Sequence, residues 1–306
     1  FFDKTGEFKY KIDHKGEGPE EYISLSDYDI CRKVGIISIL DTRGKKIMQY
    51  DLIGNFKRRI NLENWSIGLQ HFNDSIGILY NGNQISPPNN NKFRIYNIEK
   101  STLADSFYPI SLKKSKYLHV RNANNFSKCK EEVLFCELYN DTIYRLSPDN
   151  CSPYYYLDFD RVKIPASYLE GDYNNIIEFQ NDISTHDFSY GINSLVNLPS
   201  GILISYFSNN KKNYLYYNKA AQTSVQFHQF TDKPAFNNHN IDMRKYNVRF
   251  YSDDSYVFTV TNNELYIKEY DYIIDTKLKE QLKTLQIDDN PIIRICRANN
   301  SFKVDE

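Results

Sequence analysis

Short apolar runs, each parted from the next by a cluster of Asn, Asp, Gly or Lys, fill most of this chain. "GIISILDTRGKKIMQYDLIGNFKRRINL" gives three such runs between Gly35 and Leu62. The layout returns from Ser75 to Ile110 with a Pro/Asn loop inside it, from Glu132 to Phe159, from Gly201 to Phe230, and again from Ser255. Residues alternate within the runs as they do on half-buried strands, and the polar clusters are turns. One further short strand precedes each unit: "DYDIC", "IGLQHF", "YLHVRN", "GINSLVNL" and "NVRFY".

One turn recurs in letters as well as in rhythm. Asp3, Gly6, Phe8 and Ile12 reappear 48 residues later as Asp51, Gly54, Phe56 and Ile60. In D-x-x-G the Asp bonds the backbone ahead and the Gly takes a positive φ, so the flanking aromatics face one another across a hairpin. Strand-only units repeating at this spacing predict the blades of a β-propeller. Five blades are nearly complete, and residues 1–12 supply only the outer strands of another. The expected fold is therefore an all-β, six-bladed propeller forming a single domain over residues 1–306. Two segments depart from the rhythm. "DTKLKEQLKTL" predicts a short C-terminal helix with Asp275 as N-cap and Leu278, Leu282 and Leu285 on one face. Residues 164–191 form an irregular insertion with a short helix near Tyr173 to Phe179, a length at which loops often serve function.

"KGEGPEEY", Lys15 to Tyr22, has the glycines of a phosphate-binding loop and lacks the rest. No Lys-Ser/Thr pair follows, Pro19 removes an amide donor, and Glu20 and Glu21 would repel an anion. A strand, not a helix, comes next. The stretch reads as a joint between blades.

Composition narrows the function classes. The 38 Lys and Arg against 39 Asp and Glu leave no basic stripe for nucleic acid. No apolar run reaches transmembrane length. Five scattered cysteines without a CxxC make a poor disulfide framework and a poor zinc site; Cys129 and Cys136 flank a hairpin turn and could pair only in an oxidising compartment.

"GEFKYKIDHKGEGPEEY" resembles the G-x-F-x-x-x-I…G-x-G-P-x-E-Y signature of bacterial six-bladed, NHL-like β-propellers of gut bacteria. "NDTIYRL", the following "PYYYLDF" and "IP", and the closing "DDNPIIRI" are similar to that family's later signatures. The resemblance implies an exported protein of the periplasm or outer membrane, met by membrane only through an N-terminal lipid anchor. It transfers no catalytic residue and implies no cofactor.

Candidate chemistry lies with the histidines. His71, His119, His186 and His239 fall in or beside segments that link one blade to the next first strand, and such links gather on one face of a propeller. With Trp65, Arg121, Asp187, Tyr190 and Arg244 nearby in sequence, they form the candidate ligand-binding set. Solvent decoration of polar loops is the plain alternative. No metal-ligand run and no G-x-S-x-G elbow is present. Two functions follow: a non-enzymatic binding or scaffold module for a glycan, peptide or protein partner, or a propeller polysaccharide lyase or glycoside hydrolase using His119, His186, Tyr190 and Arg244.

Overall fold

The structure, a computed structural model, describes all residues except 4–5, 86, 88–89, 119–121, 123, 209–210, 232, 247, 254–255 and 298–306. Five sheets succeed one another along the chain, each starting with its first strand in sequence. The first holds β1 (Asp27–Cys31), β2 (Ile36–Asp41), β3 (Lys46–Asp51) and β4 (Phe56–Asn61). The second holds β5 (Gly68–His71), β6 (Ile76–Tyr80), β7 (Asn91–Asn97) and β8 (Thr102–Pro109). The third holds β9 (Phe126–Cys129), β10 (Glu132–Phe135), β11 (Thr142–Ser147) and β12 (Asn150–Tyr156). After helices α1 (Ala166–Leu169) and α2 (Ile176–Ser184), the fourth holds β13 (Ile192–Asn197), β14 (Gly201–Ser208), β15 (Lys211–Asn218) and β16 (Thr223–Phe227). A small ribbon, β17 (Gln229–Thr231) with β18 (Asn240–Asp242), brackets helix α3 (Lys233–Phe236). The fifth sheet has three strands, β19 (Arg249–Asp253), β20 (Tyr256–Thr261) and β21 (Ile292–Arg297), with α4 (Glu264–Lys268) and α5 (Thr276–Gln281) between the last two.

This is an all-β propeller of five blades with few helices, so the expectation of six is corrected. Among the described residues, 1–12 contribute a single antiparallel bridge, Phe2 to Phe8, and no sheet. Two sequence assignments also change. The first strand of the third sheet is "FSKC" rather than "YLHVRN", much of which lies outside the described residues. "NELYIKEYD" is helical rather than extended: Leu265 and Tyr266 are buried while Glu264 and Lys268 pair four residues apart on the outside. The third strand of that sheet comes after α5 instead.

The D-x-x-G turns match bond for bond. Gly6 and Gly54 have φ of +83° and +91°. Each donates its N–H to the Asp carbonyl three residues back, at 3.0 and 3.1 Å. Asp3 and Asp51 accept at Oδ1 from the N–H four residues ahead, at 3.1 and 2.9 Å. Phe2–Phe8 and Tyr50–Phe56 both meet edge-on at 5.8 Å.

The chain divides into two compact units, 1–121 with 143–155 and 164–186, and 122–142 with 156–163 and 187–306. In the first, β2 is buried on both faces. Ile37 and Ile39 enter one core cluster with Tyr22, Met48 and Tyr50, while Leu40 enters another with Ile47, Leu69 and Tyr96. Asp27 and Asp29 of β1 accept the Leu69 and His71 N–H groups of β5 at 2.9 and 2.6 Å, so the first strands lie side by side. In the second unit, α5 is capped by Asp275, whose Oδ1 accepts the Leu278 N–H at 2.8 Å. Leu278, Leu282 and Leu285 pack on a cluster built from Phe236, Ile241, Met243, Leu265 and Tyr266.

The opening loop is closed by its own acid. Gly16 N–H donates to the Tyr22 carbonyl (3.0 Å), Tyr22 N–H to that of His14 (2.9 Å), and Gly18 N–H to Glu21 Oε2 (2.8 Å). The Glu21 carboxylate thus sits where a phosphate loop would hold its anion. Neither glycine is needed for a positive φ; a Cβ on Gly16 would displace that carboxylate, and one on Gly18 would lie 2.9 Å from it. Gly16→Ala should therefore cost about 1–2 kcal/mol, the loss of one charge-assisted bond. A denaturation midpoint unchanged from the parent would contradict this.

Candidate functional site

The nominated residues fall in both compact units. His119 and Arg121 lie outside the described residues. In the first unit, Trp65 is exposed, whereas His71 is buried with Nε2 3.0 Å from Ser38 Oγ. His186 is exposed beside the insertion helices, with Nε2 3.1 Å from the Tyr168 hydroxyl and Nδ1 2.8 Å from Thr185 Oγ1. In the second unit, Asp187 is exposed and the Tyr190 ring meets Tyr139 at 5.9 Å. His239 stacks on Tyr272 at 3.7 Å and pairs with Glu269 Oε2 at 2.9 Å, and Arg244 pairs with Asp242 at 3.2 Å. The Arg244 bonds hold the Asp242 carboxyl below its ordinary range. Most of these side chains are thus engaged by local partners.

A cavity of about 360 Å³ opens within the second unit, lined by Asn124, Asn193, Ser194, Phe207, Lys212, Arg249, Phe250 and Tyr251. Among the described residues none of the nominees lines it. Asn193 and Ser194 come from β13 and Arg249, Phe250 and Tyr251 from β19, first strands of two blades that lie next to each other and to β9. Ser127 Oγ of β9 accepts the Asn197 N–H of β13 at 2.8 Å, and Ser252 Oγ of β19 donates to the Asn197 carbonyl at 3.4 Å. Phe207 and Lys212 face each other across β14 and β15.

A bulge shapes the wall. Ile192 pairs with Tyr206 and Ser194 with Ser205, leaving Asn193 as an extra residue in β13. Neighbours on a regular strand point to opposite faces; a bulge breaks that rule and re-aims a side chain. Here Asn193 and Ser194 both line the cavity and both reach Ser205 Oγ, at 3.3 and 2.6 Å. The strand is set at its start by Gly191, whose φ is +73° and whose Cβ, if present, would meet Asn140 backbone atoms at 2.6 and 2.7 Å. On β19 the period of two puts Arg249 and Tyr251 on one face. Phe250 meets Tyr214 edge-on at 5.8 Å and packs on the unit's core.

The charged members of the lining are two cations. Lys212 is pushed down from 10.5 to about 8, first by burial of its ammonium and then by the charge of Arg249. Its Nζ donates to the Val248 carbonyl at 3.0 Å and lies 5.4 Å from the Tyr214 ring centre. Taking a cation out of water beside a second cation is unfavourable, and an arriving anion relieves it. Asn124, Asn193 and Ser194 add neutral donors and acceptors, and Phe207, Phe250 and Tyr251 add apolar faces. The arrangement can hold a small polar, hydroxylated or anionic molecule.

Other chemistry is sparse. Among the described residues no disulfide is formed, Cys129 and Cys136 included, and burial pushes the Cys136 thiol up to about 12. Among the described residues no group of three or more His, Cys, Asp or Glu could hold a metal ion. Nor is any helix among them long and apolar enough to cross a membrane.

The sequence carries two irregularities that mark the cavity. "GINSL" places two polar residues in succession between Ile192 and Leu195, breaking the alternation, and "NVRFY" carries a cation inside a strand. Lys212, in "NNKKNY", reads as an ordinary turn lysine.

Comparison with known proteins agrees with the fold. A crystallised Bacteroides fragilis protein, described as exported, superposes with a TM-score of 0.73 at 18% identity over 97% of this chain and 84% of its own. A member of the DUF4221 family from Bacteroides vulgatus superposes with a TM-score of 0.53 at 12% identity over 97% and 85%. No curated protein matches in sequence. The family described as "Domain of unknown function (DUF4934)" matches residues 1–297.

Proposed function

The chain belongs to the DUF4934 family, and we propose that it is a non-enzymatic binding propeller whose ligand enters the cavity between β13 and β19. The observation that carries this reading is the bulge at Asn193, which gives up strand regularity to turn two neighbouring polar side chains into one cavity beside two cations. Bulges are enriched at such sites. Mixed apolar and polar lining at this volume suits a compact ligand, such as the end of a glycan or peptide, more than a flat protein surface. We place the protein outside the cytoplasm as an NHL-like lipoprotein of the envelope, consistent with a structural neighbour described as exported. Labelling of the full-length gene product with radioactive palmitate, followed by membrane fractionation, tests that address.

Binding is expected to be saturable and without turnover. Arg249→Ala should weaken it by roughly tenfold to a hundredfold, the worth of a hydrogen bond to a charged group. Titration calorimetry against a glycan and peptide panel measures the affinity, and chromatography of the same mixtures looks for products. Accumulating product, or an affinity indifferent to Arg249, would contradict the reading.

A further inference from the structure

Resting on the cavity as the ligand site, we infer that its ligand is an acidic sugar, a uronic-acid residue of a glycan whose carboxylate is taken by Arg249 and Lys212. Three features of the lining converge on that class. Arg249 and Lys212 offer a planar fork and a point charge to a carboxylate. The Asn124, Asn193 and Ser194 side chains can each donate and accept, as a ring of hydroxyls requires. Phe207, Phe250 and Tyr251 supply apolar faces for the C–H side of a pyranose. A cavity of about 360 Å³ has room for one or two sugar rings. An acidic peptide would share the carboxylate but brings no ring of hydroxyls for the Asn124, Asn193 and Ser194 side chains to bond.

The state of Lys212 supports the charge of the ligand. The Arg249 guanidinium of β19 acts on it, and the Tyr214 ring of its own strand lies 5.4 Å from Nζ. A carboxylate entering the cavity should raise Lys212 from about 8 towards its ordinary value, so binding at about pH 8.5 should draw protons from the buffer.

The test is calorimetry of the intact protein with three probes: digalacturonate, its neutral counterpart galactobiose, and the dipeptide Glu-Glu. Digalacturonate is expected to bind roughly tenfold to a hundredfold more tightly than galactobiose. Proton uptake should accompany it, seen as a heat that varies with the ionisation enthalpy of the buffer. Lys212→Gln and Arg249→Gln should each abolish most of the preference. Lys212→Gln should also abolish the proton uptake, and thermal melts establish that both variants are folded. Equal binding of the two disaccharides would overturn the inference and leave the cavity as a sugar site. Binding of Glu-Glu in preference to both sugars would overturn the inference and leave a binding propeller for peptides. Silence from all three probes would overturn both the inference and the cavity as ligand site.

Discussion

Lys212→Met is expected to make the protein more stable at pH 7, by about 2 kcal/mol, while removing its capacity to take an anionic ligand. A displacement from 10.5 to about 8 corresponds to roughly 3 kcal/mol for complete burial, and partial contact with solvent reduces that figure. Methionine keeps the unbranched stem and fills the same channel. The Val248 carbonyl, deprived of Nζ, keeps the Tyr214 hydroxyl as donor at 3.0 Å. The sign of the pH dependence follows from protons bound. Between pH values of about 8 and 10.5, the unfolded chain holds a proton on Lys212 that the folded chain has released. Stability of the parent therefore climbs across that window, and the penalty is fully present below it. Urea unfolding at pH 7 and pH 10 should show the advantage of Lys212→Met shrinking at the higher pH. A destabilised variant at pH 7 would mean that the lysine is an ordinary structural cation. A residue kept at the expense of stability is most simply kept for what it binds.

The largest loss of stability is expected at Asp41, far from the cavity in sequence. Asp41 is fully buried at the end of β2. Its carboxylate accepts from Ile23 N–H (2.8 Å), Ser24 N–H and Oγ (3.1 Å each) and Gly44 N–H (2.9 Å), with the Lys46 ammonium at 3.9 Å. It ties the segment after the opening joint to the turn between β2 and β3. Asp41→Ala strands these donors and the neighbouring cation, and should cost about 3–5 kcal/mol, as breaking a buried charged network does. Asp41→Asn keeps the volume but turns an amide towards N–H donors, and should cost somewhat less. A urea midpoint for Asp41→Ala within about 1 kcal/mol of the parent would show that water replaces the carboxylate there.

How far the sequence is readable follows from the range of the interactions. The paired D-x-x-G turns, the Asp275 cap and the joint at Lys15–Tyr22 each close over fewer than about ten residues, so their chemistry is written locally. The blade count is not, because whether residues 1–12 join a sheet depends on pairing with distant chain, and the described ones form one bridge. Helix α4 escapes the pattern because "NELYIKEYD" suits strand or helix by its apolar positions. The choice is made from afar: Asn263 Nδ2 donates to the carbonyls of Gln286, Asp289 and Asn290, at 3.1, 2.8 and 3.3 Å, drawing the chain away from β20. The cavity is hidden for a third reason. Linking segments point to His71, which the fold buries against Ser38, rather than to strand residues such as Arg249 that become neighbours only when blades pack.

The most direct test is the titration of Lys212 itself, followed by its side-chain NMR resonances in protein labelled at lysine. The account predicts a midpoint near pH 8 in the free protein, rising by about one unit or more on saturation with digalacturonate. A midpoint near the ordinary lysine value of 10.5, or one that ligand leaves unmoved, would contradict it.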